Sequence, residues 1–261
     1  MNCPLCSSTK NKKIFSANNF HGRHHLDSKK IPIFKCLDCG CLYPKISINK
    51  KYYKKYYPKN YQSSPSLVES IWLKFNLFYK KLYLPPKCSL LDVGCGSGQF
   101  INSLPPSIKA TGIDLSKSNH PHIIQADFIK HKFNQKYDVI TFWHSLEHFQ
   151  HPKKVIAKAQ RLLNKDGLIL ITIPNTDSLA FKVAQNSWFH LDPPRHLFLP
   201  SVRNINQIIP QGLSYKIVST PLEFPLDLYW SLKKRPLLRL LYPILKFFDT
   251  QTMLIKLSSR R

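Results

Sequence analysis

Three glycines at alternate positions, Gly94, Gly96 and Gly98, follow a short apolar run that contains Asp92. Glycine lets backbone N–H groups come close to a ligand and tolerates a positive φ angle. A helix that begins after such a turn points its positive end at the same place. Asp92 could accept a hydrogen bond from a ligand ammonium group. Residues 90–100 are therefore predicted to form a buried strand, a ligand-binding turn and a short helix, with a ligand-free tight turn as the alternative.

A second carboxylate, Asp114, lies in the short apolar segment TGIDL at residues 111–115, 22 residues after Asp92. In nucleotide-binding sheets, an acidic residue about twenty positions after a glycine turn holds the ribose hydroxyls. The dinucleotide pattern G-x-G-x-x-G is not met, because the glycines here are spaced G-x-G-x-G. The spacing therefore indicates a ribose site without the dinucleotide fingerprint.

Two imidazoles and a carboxylate are grouped at His144, Glu147 and His148, a spacing that puts them on one face of a helical turn. A neutral imidazole could act as a general base toward a hydroxyl group, an effect of about 10²–10⁴-fold. The same three groups could instead bind a divalent metal ion. The structural alternative is that Glu147 and His148 only brace the loop.

The segment WFHLDPPRHLFLP at residues 188–200 contains three prolines, which predict an ordered loop. His196 is a further candidate base, and Arg195 could bind a carboxylate or phosphate of the substrate through two hydrogen bonds. The alternative is a packing loop in which His196 is hydrogen-bonded to backbone.

Four cysteines form two C-x₂-C pairs, Cys3 with Cys6 and Cys36 with Cys39. Four thiolates suit a tetrahedral Zn²⁺ ion, so residues 1–48 are predicted to form a structural zinc ribbon. A redox pair is the alternative, although it needs only one C-x₂-C and a helix behind it. The remaining Cys41 is expected to be a small buried residue. Three histidines lie between the pairs but are not needed as ligands: His21, His24 and His25.

The glycine turn with its preceding aspartate resembles the class I S-adenosylmethionine-dependent methyltransferases. IQADF at 124–128, YDVITFWHSLEHF at 137–149 and LLNKDGLILITIPN at 162–175 are similar to later motifs of that family, in the same order. The resemblance covers roughly residues 66–220 and is strongest to bacterial small-molecule enzymes of the ubiquinone type. Those relatives carry an acidic residue where this chain has His144. A zinc ribbon in front of the methyltransferase domain also recurs among bacterial relatives.

The resemblance implies S-adenosylmethionine as cofactor, with Asp127 toward the adenine amino group and Phe128 beside the ring. Trp143 would touch the cofactor through its backbone. The residues implied in cofactor binding are Asp92, Gly94, Cys95, Gly96, Gly98, Asp114, Leu115, Asp127, Phe128 and Trp143.

The expected fold is α/β, a doubly wound, mostly parallel seven-stranded sheet whose last strand is antiparallel. The predicted strands are 90–93, 111–115, 124–128, 138–140, 168–173, 213–219 and 252–258. The connections at 115–122 and 129–136 are too short for a usual crossover helix. A helix is expected from 66 to about 83, and another over 202–210.

Two further segments are basic and aromatic. The linker at 49–65 could stack nucleic acid bases or could form a helix whose tyrosines pack on the methyltransferase domain at 66–261. An insertion at about 222–248 is apolar, basic and broken by prolines. Its part at 226–248 could lie at a membrane interface, could cap an apolar substrate, or could pack on the core.

Lys and Arg number 39 against 14 Asp and Glu, a net charge of +25. Such a charge favours anionic partners, unless the lysines are simply spread over solvated faces. No secretion signal and no run of 18 apolar residues is visible. Seven cysteines in a chain without a secretion signal suggest a reducing compartment. The expected location is the cytoplasm, with peripheral contact at the inner face of the membrane as an option.

The sequence therefore predicts methyl transfer to an oxygen, or a carbon, of a small-molecule, sugar-linked or lipid-linked acceptor. The candidate bases are His144, His148 and His196. An RNA methyltransferase is one alternative, favoured by the charge but lacking an Asn/Asp-Pro-Pro-aromatic motif after the fourth strand. A non-catalytic module that only binds the cofactor is the other.

Overall fold

The computed structural model of the chain describes residues 2–17, 30–49, 52, 56–57, 67–219 and 252–259. The three histidines between the cysteine pairs, most of the basic linker and the insertion at 222–248 lie outside the described residues. The predictions made for those segments are therefore not taken further by the structure.

A small antiparallel sheet precedes the main one. Its strands are β1 (Asn11–Ala17), β2 (Ile31–Cys36) and β3 (Leu42–Pro44), in that order. The cysteine pairs lie in turns at the edges of these strands. Leu42 also exchanges two backbone hydrogen bonds with Leu199, at 3.1 and 2.8 Å, so the small sheet is attached to a loop of the larger unit.

The main sheet has seven strands in the order β6-β5-β4-β7-β8-β10-β9. The strands are β4 (Cys88–Val93), β5 (Ile108–Asp114), β6 (Ile123–Gln125), β7 (Tyr137–Trp143), β8 (Leu163–Pro174), β9 (Leu213–Ser219) and β10 (Thr252–Ser259). Strands β4 to β8 pair in parallel, whereas β10 is antiparallel to both β8 and β9. The predicted doubly wound sheet with an antiparallel last strand is confirmed.

The α-helices are α1 (Leu67–Lys81), α2 (Gln99–Asn102), α3 (Pro152–Arg161) and α4 (Leu179–Ala184). Single 3₁₀ turns occur at Leu146–His148, Gln185–Ser187, Phe189–Leu191 and Ile205–Ile208. The connections at 115–122 and 129–136 contain no helix, as their length predicts.

The helix expected over 202–210 was wrong, since only the 3₁₀ turn Ile205–Ile208 forms there. Asn204 ties this segment down with its side chain, which accepts from the Ser201 amide at 2.8 Å and donates to the Cys39 carbonyl at 3.0 Å. These contacts bind the segment to the cysteine turn instead of letting it continue as a helix.

The central strands are apolar on both faces. Leu90, Leu91 and Val93 of β4 are fully buried, and β7 and β8 show similar runs. Such continuous burial is typical of parallel strands that are covered on both sides. Because the carboxyl ends of parallel strands meet at one edge, the residues that follow β4, β5 and β7 are brought together there.

Candidate active site

The glycine turn after β4 has the backbone that its sequence predicts. Gly94 has a φ of +75°, and a Cβ atom there would lie 2.4 Å from the Cβ of Ser145. Gly98, with a φ of +84°, begins α2, and its Cβ would lie 2.7 Å from the Cδ1 of Ile123. Side chains at these two positions would therefore fill the space where the chain crosses the edge of the sheet.

Asp114 ends β5 and faces this turn. Its carboxylate accepts from the Gly96 amide at 2.9 Å and from the Ser116 amide at 2.7 Å. A cleft of ≈ 390 Å³ opens beside it, lined by Gly96, Ser97, Ser116, Lys117, Ser118, Asn119 and His120. Leu115 is 55% exposed. A cleft of this size is in the range of small-molecule sites and has room for an adenosyl group.

Asp92 lies deeper in the sheet edge and is 3% exposed. It accepts a hydrogen bond from the Thr141 hydroxyl at 2.7 Å. Burial raises the pKa of Asp92 from 3.8 to about 6, and the charge of Asp114 adds to this rise, while Thr141 and Lys80 oppose it. The carboxylate is thus anionic at neutral pH and accepts only one hydrogen bond from the described residues.

Trp143 ends β7 and packs edge-on against Phe100, with ring centroids 5.4 Å apart. The Nζ atom of Lys80 lies 5.2 Å from the indole centroid. The buried indole Nε1 has no hydrogen-bond partner among the described residues. Cys95 is half-buried in the glycine turn, and burial together with the charges of Asp92 and Asp114 raises the pKa of its thiol.

Asp127 and Phe128 follow β6, where the Ala126 amide donates to the Asp114 carbonyl at 2.9 Å. The Asp127 carboxylate accepts from the Ile129 amide at 2.8 Å, in a local turn. Phe128 is buried in the core, where its ring packs against Phe133, Phe142 and Phe149. The structure therefore brings Asp92, the glycine turn and Asp114 together, and sets the Phe128 ring among core residues.

His144, Glu147 and His148 follow β7. His144 has a φ of +51°, and its side chain is 18% exposed. Its Nδ1 lies 3.5 Å from Oε1 of Glu147, which is fully buried. Burial alone would raise the pKa of Glu147, but the nearby histidines, His144 first, outweigh it and hold that pKa below its ordinary value.

The loop at 188–200 brings His196 next to this carboxylate. His196 Nε2 lies 3.9 Å from Oε1 of Glu147, and its Nδ1 lies 2.7 Å from the carbonyl oxygen of His190. Burial lowers the pKa of His196 to about 3, against the pull of Asp192 and Glu147, so the ring is neutral at physiological pH.

Arg195 is 1% exposed and donates its Nε to Asp192 at 3.1 Å. The guanidinium is thus buried in an ion pair within its own loop, and the substrate contact of Arg195 stays a prediction.

Two tyrosines of the linker contact the domain here, one at the turn Leu146–His148 and one at the loop 188–200. The Tyr57 hydroxyl lies 3.1 Å from Nδ1 of His148, and the Tyr52 hydroxyl donates to the Pro194 carbonyl at 3.1 Å. The packing alternative for the linker holds at these two positions. Nothing in the tyrosine spacing pointed to His148 in particular.

The four paired cysteines come together in the small sheet. Cys3 Sγ lies 3.6 Å from Cys39 Sγ, and Cys6 Sγ lies 3.5 Å from Cys36 Sγ. A tetrahedron of Zn–S bonds of about 2.3 Å has sulfur–sulfur edges of about 3.8 Å, so the donor set and its spacing fit zinc.

Proton affinities within the cysteine cluster differ. The neighbouring Cys41 thiol lowers the pKa of Cys3 to about 4, against the effect of burial. Burial raises the pKa of Cys39. Cys41 is buried, as expected, and its Sγ lies 3.6 Å from the carbonyl of Leu199.

The sheet order, the antiparallel β10 and the glycine turn flanked by two strand-end carboxylates define a class I S-adenosylmethionine-dependent methyltransferase. A family model described as a methyltransferase domain matches residues 67–219, more than half of the chain, and the chain belongs to that family. The resemblance that the motifs indicated is confirmed for this domain. The match begins after the cysteine cluster and does not bear on it.

Curated relatives match over shorter stretches. The ubiquinone biosynthesis O-methyltransferase of Glaesserella parasuis is 31% identical over 35% of this chain and 48% of its own length. The cyclopropane mycolic acid synthase MmaA2 of Mycobacterium tuberculosis is 29% identical over 41% of this chain and 43% of its own. The chain thus spans about half the length of these curated relatives.

Among solved structures, the plantazolicin methyltransferase BpumL, in complex with a pentazolic desmethylPZN analog and SAH, superposes with a TM-score of 0.50. It is 18% identical, and the match covers 81% of this chain and 89% of that one. At this identity the likeness concerns the fold alone.

Proposed function

We propose that the chain transfers the methyl group of S-adenosylmethionine to an oxygen of a small-molecule acceptor, free or linked to a sugar or lipid. The observation that carries this proposal is the position of the histidine group at the same sheet edge as the Asp114 cleft. The name of one relative points the same way, since it describes an O-methyltransferase of ubiquinone biosynthesis, and that of the cyclopropane mycolic acid synthase is consistent with a lipid acceptor. Transfer to a carbon remains the second form of the same reaction.

The cofactor would be held by the glycine turn and the two strand-end carboxylates. Asp92 is anionic and accepts only the Thr141 hydroxyl from the described residues, so it retains capacity for the ammonium group. Asp114 would exchange contacts with the turn for the ribose hydroxyls. When bound, the cofactor supplies a sulfonium methyl group that is already activated toward a nucleophile.

His144 is the base in this proposal. Its Nδ1 faces the Glu147 carboxylate, which can only accept, so the ring proton belongs on Nδ1 and the lone pair on Nε2. A lone pair on Nε2 can take the acceptor's hydroxyl proton. His148 and His196 have their Nδ1 atoms against backbone carbonyls of the loop, so their Nε2 atoms keep lone pairs as well and both stay candidate bases. His144 is preferred because it directly follows β7, at the sheet edge beside the Asp114 cleft.

Residues 1–48 would serve as a structural zinc ribbon, 49–65 as the linker, and 66–261 as the catalytic domain with its insertion at about 222–248. The fit of the four thiols to a zinc tetrahedron supports the first part. Zinc would cross-link the two chain segments that carry the cysteine pairs, in a sheet to which the described residues contribute three strands.

The test uses S-adenosylmethionine carrying a labelled methyl group and cell extract as the acceptor source, with small-molecule, lipid and RNA fractions counted separately. Label is expected in the small-molecule or lipid fraction. His144→Ala should lower the rate by about 10²–10⁴-fold while cofactor binding is retained. His151→Ala is the matched control, because that exposed histidine makes no side-chain cap on α3. Label in RNA alone, or an unchanged rate in His144→Ala, would overturn the assignment.

A further inference from the structure

Glu147 is a buried carboxylate without a hydrogen-bond donor at ordinary distance among the described residues. It is fully buried, and neither of its oxygens accepts a hydrogen bond from the described residues. The nearest ring nitrogens to Oε1, on His144 and His196, lie at 3.5 and 3.9 Å, beyond ordinary hydrogen-bond length. A buried carboxylate is strongly unfavourable unless a cation or a hydrogen-bond donor compensates it.

Two histidines beside it have a defined tautomer. His148 Nδ1 lies 3.1 Å from the carbonyl oxygen of Arg195, and His196 Nδ1 lies 2.7 Å from that of His190. A carbonyl oxygen can only accept, so each Nδ1 carries the proton and each Nε2 keeps a lone pair. The Tyr57 hydroxyl lies 3.1 Å from the same Nδ1 atom of His148.

These three side chains converge. One ligand atom from each of Glu147, His148 and His196 lies within 4.8 Å of the others, and the two imidazole centroids are 4.9 Å apart. The group therefore holds an anion and two Nε2 lone pairs, none of its three members donates a proton to another, and the His144 Nδ1–H outside it lies 3.5 Å from Oε1. Mutual repulsion of this kind is relieved by a cation at the centre.

We propose that Glu147, His148 and His196 bind a divalent transition-metal ion. Two imidazoles and one carboxylate are a common ligand set for such ions. A backbone carbonyl that accepts the other ring N–H is the outer contact that metal-binding histidines usually make. The ion would join the 3₁₀ turn Leu146–His148 to the loop at 188–200, and three protein ligands leave coordination positions for water or an acceptor oxygen.

This set differs from the one that the sequence spacing alone indicated. His144, Glu147 and His148 are near in sequence, but the third ligand here is His196, about fifty residues away. The site does not depend on which acceptor is methylated. Its test measures metal binding, so it can fail while the methyl transfer stands.

The experiment adds Co²⁺ to the full-length protein purified with zinc and follows visible absorption, with stoichiometry from equilibrium dialysis. One Co²⁺ per chain is expected, with d–d bands and no sulfur-to-metal charge-transfer band, which would mark the cysteine cluster instead. Glu147→Gln and His196→Ala should each weaken binding by more than about tenfold. His151→Ala, which changes an exposed histidine outside the group, should bind Co²⁺ as the original chain does.

A second readout needs no variant. In the unaltered protein, bound Co²⁺ should shift the Nδ1–H resonances of two histidines paramagnetically, because both protons are held by backbone carbonyls. The proposal is overturned if no Co²⁺ binds outside the cysteines, if these resonances do not move, or if Glu147→Gln and His196→Ala bind Co²⁺ as tightly as the original chain. A proton shared between Glu147 and an imidazole would then fill the place of the metal.

Discussion

Asp92 and Asp114 lie on neighbouring strands, yet their carboxylates have different surroundings. Asp114 accepts from two backbone amides, whereas Asp92 is buried with one hydroxyl donor. The folded chain therefore holds a proton on Asp92 more tightly than the unfolded chain does, since its pKa rises from 3.8 to about 6. The buried Asp92 carboxylate lowers the stability of the fold at neutral pH but can pair with a cationic group of a ligand.

Asp92→Asn should stabilise the fold at neutral pH. The folded-state pKa is raised, so the free energy of unfolding decreases as pH rises from about 4 to about 6, and the cost is fully present above that range. The neutral amide side chain of this variant would carry no buried charge, and its carbonyl oxygen would still accept from the Thr141 hydroxyl. A gain of up to about 3 kcal/mol at pH 7.5, and none near pH 4, is expected in chemical denaturation, with weaker cofactor binding.

Asp138→Asn is the matched control of opposite sign. Its carboxylate accepts from the Ser89 amide, the Asn164 amide and the Ser89 hydroxyl, contacts that lower the pKa of Asp138. Its contribution is present at neutral pH and is lost as pH falls, so this variant should be destabilised at pH 7.5. A loss of stability at pH 7.5 in Asp92→Asn as large as in Asp138→Asn would contradict the account.

At the scale of elements, the cysteine turns of the small sheet are connected to residues 199–204, at the end of the loop 188–200 and just after it. We call this connection the joint. Asn204 donates to the Cys39 carbonyl, and the Leu42–Leu199 bridge runs beside it. A change in the position of the small sheet would therefore shift the loop at 188–200, which contains His196.

Asn204→Ala should weaken this joint. It leaves the Cys39 carbonyl and the Ser201 amide without their side-chain partner, at a cost of about 1–3 kcal/mol in the free energy of unfolding. Zinc should also leave faster to a chromogenic chelator. Asn206→Ala, an exposed residue of the same segment, should change stability by less than about 0.5 kcal/mol. Equal losses in both variants would show that the joint has no such role.

The strands and the glycine turn could be predicted because apolar runs and positive-φ glycines are local signals. The placement of the loop at 188–200 could not, since the contacts that set it are tertiary. Arg195 pairs with Asp192 three residues away, within the loop, but His196 meets Glu147 across two distant chain segments. The burial of Phe128 depends likewise on Phe142 of a distant strand.

At the scale of the whole molecule, some of the lysine side chains lie over aromatic rings. Lys45 lies 4.2 Å from the ring centroid of Phe34, and Lys256 lies 4.5 Å from that of Tyr83. Such lysines also pack against apolar surface, so their presence does not by itself indicate an anionic partner. In the described part of the chain, none of the helices has the length and apolar character to cross a bilayer. Membrane contact through 226–248 and a cytoplasmic location stay predictions.

The central claim is that one sheet edge binds S-adenosylmethionine through the glycine turn and Asp114. Equilibrium dialysis with the labelled cofactor tests it directly. One molecule per chain should bind, and Asp114→Asn should weaken binding by about tenfold, or 1.4 kcal/mol. Asp127→Asn should weaken it less, because the Asp127 carboxylate accepts from the Ile129 amide in its own turn and not from the glycine turn. No binding at millimolar cofactor, or full affinity in Asp114→Asn, would contradict the account.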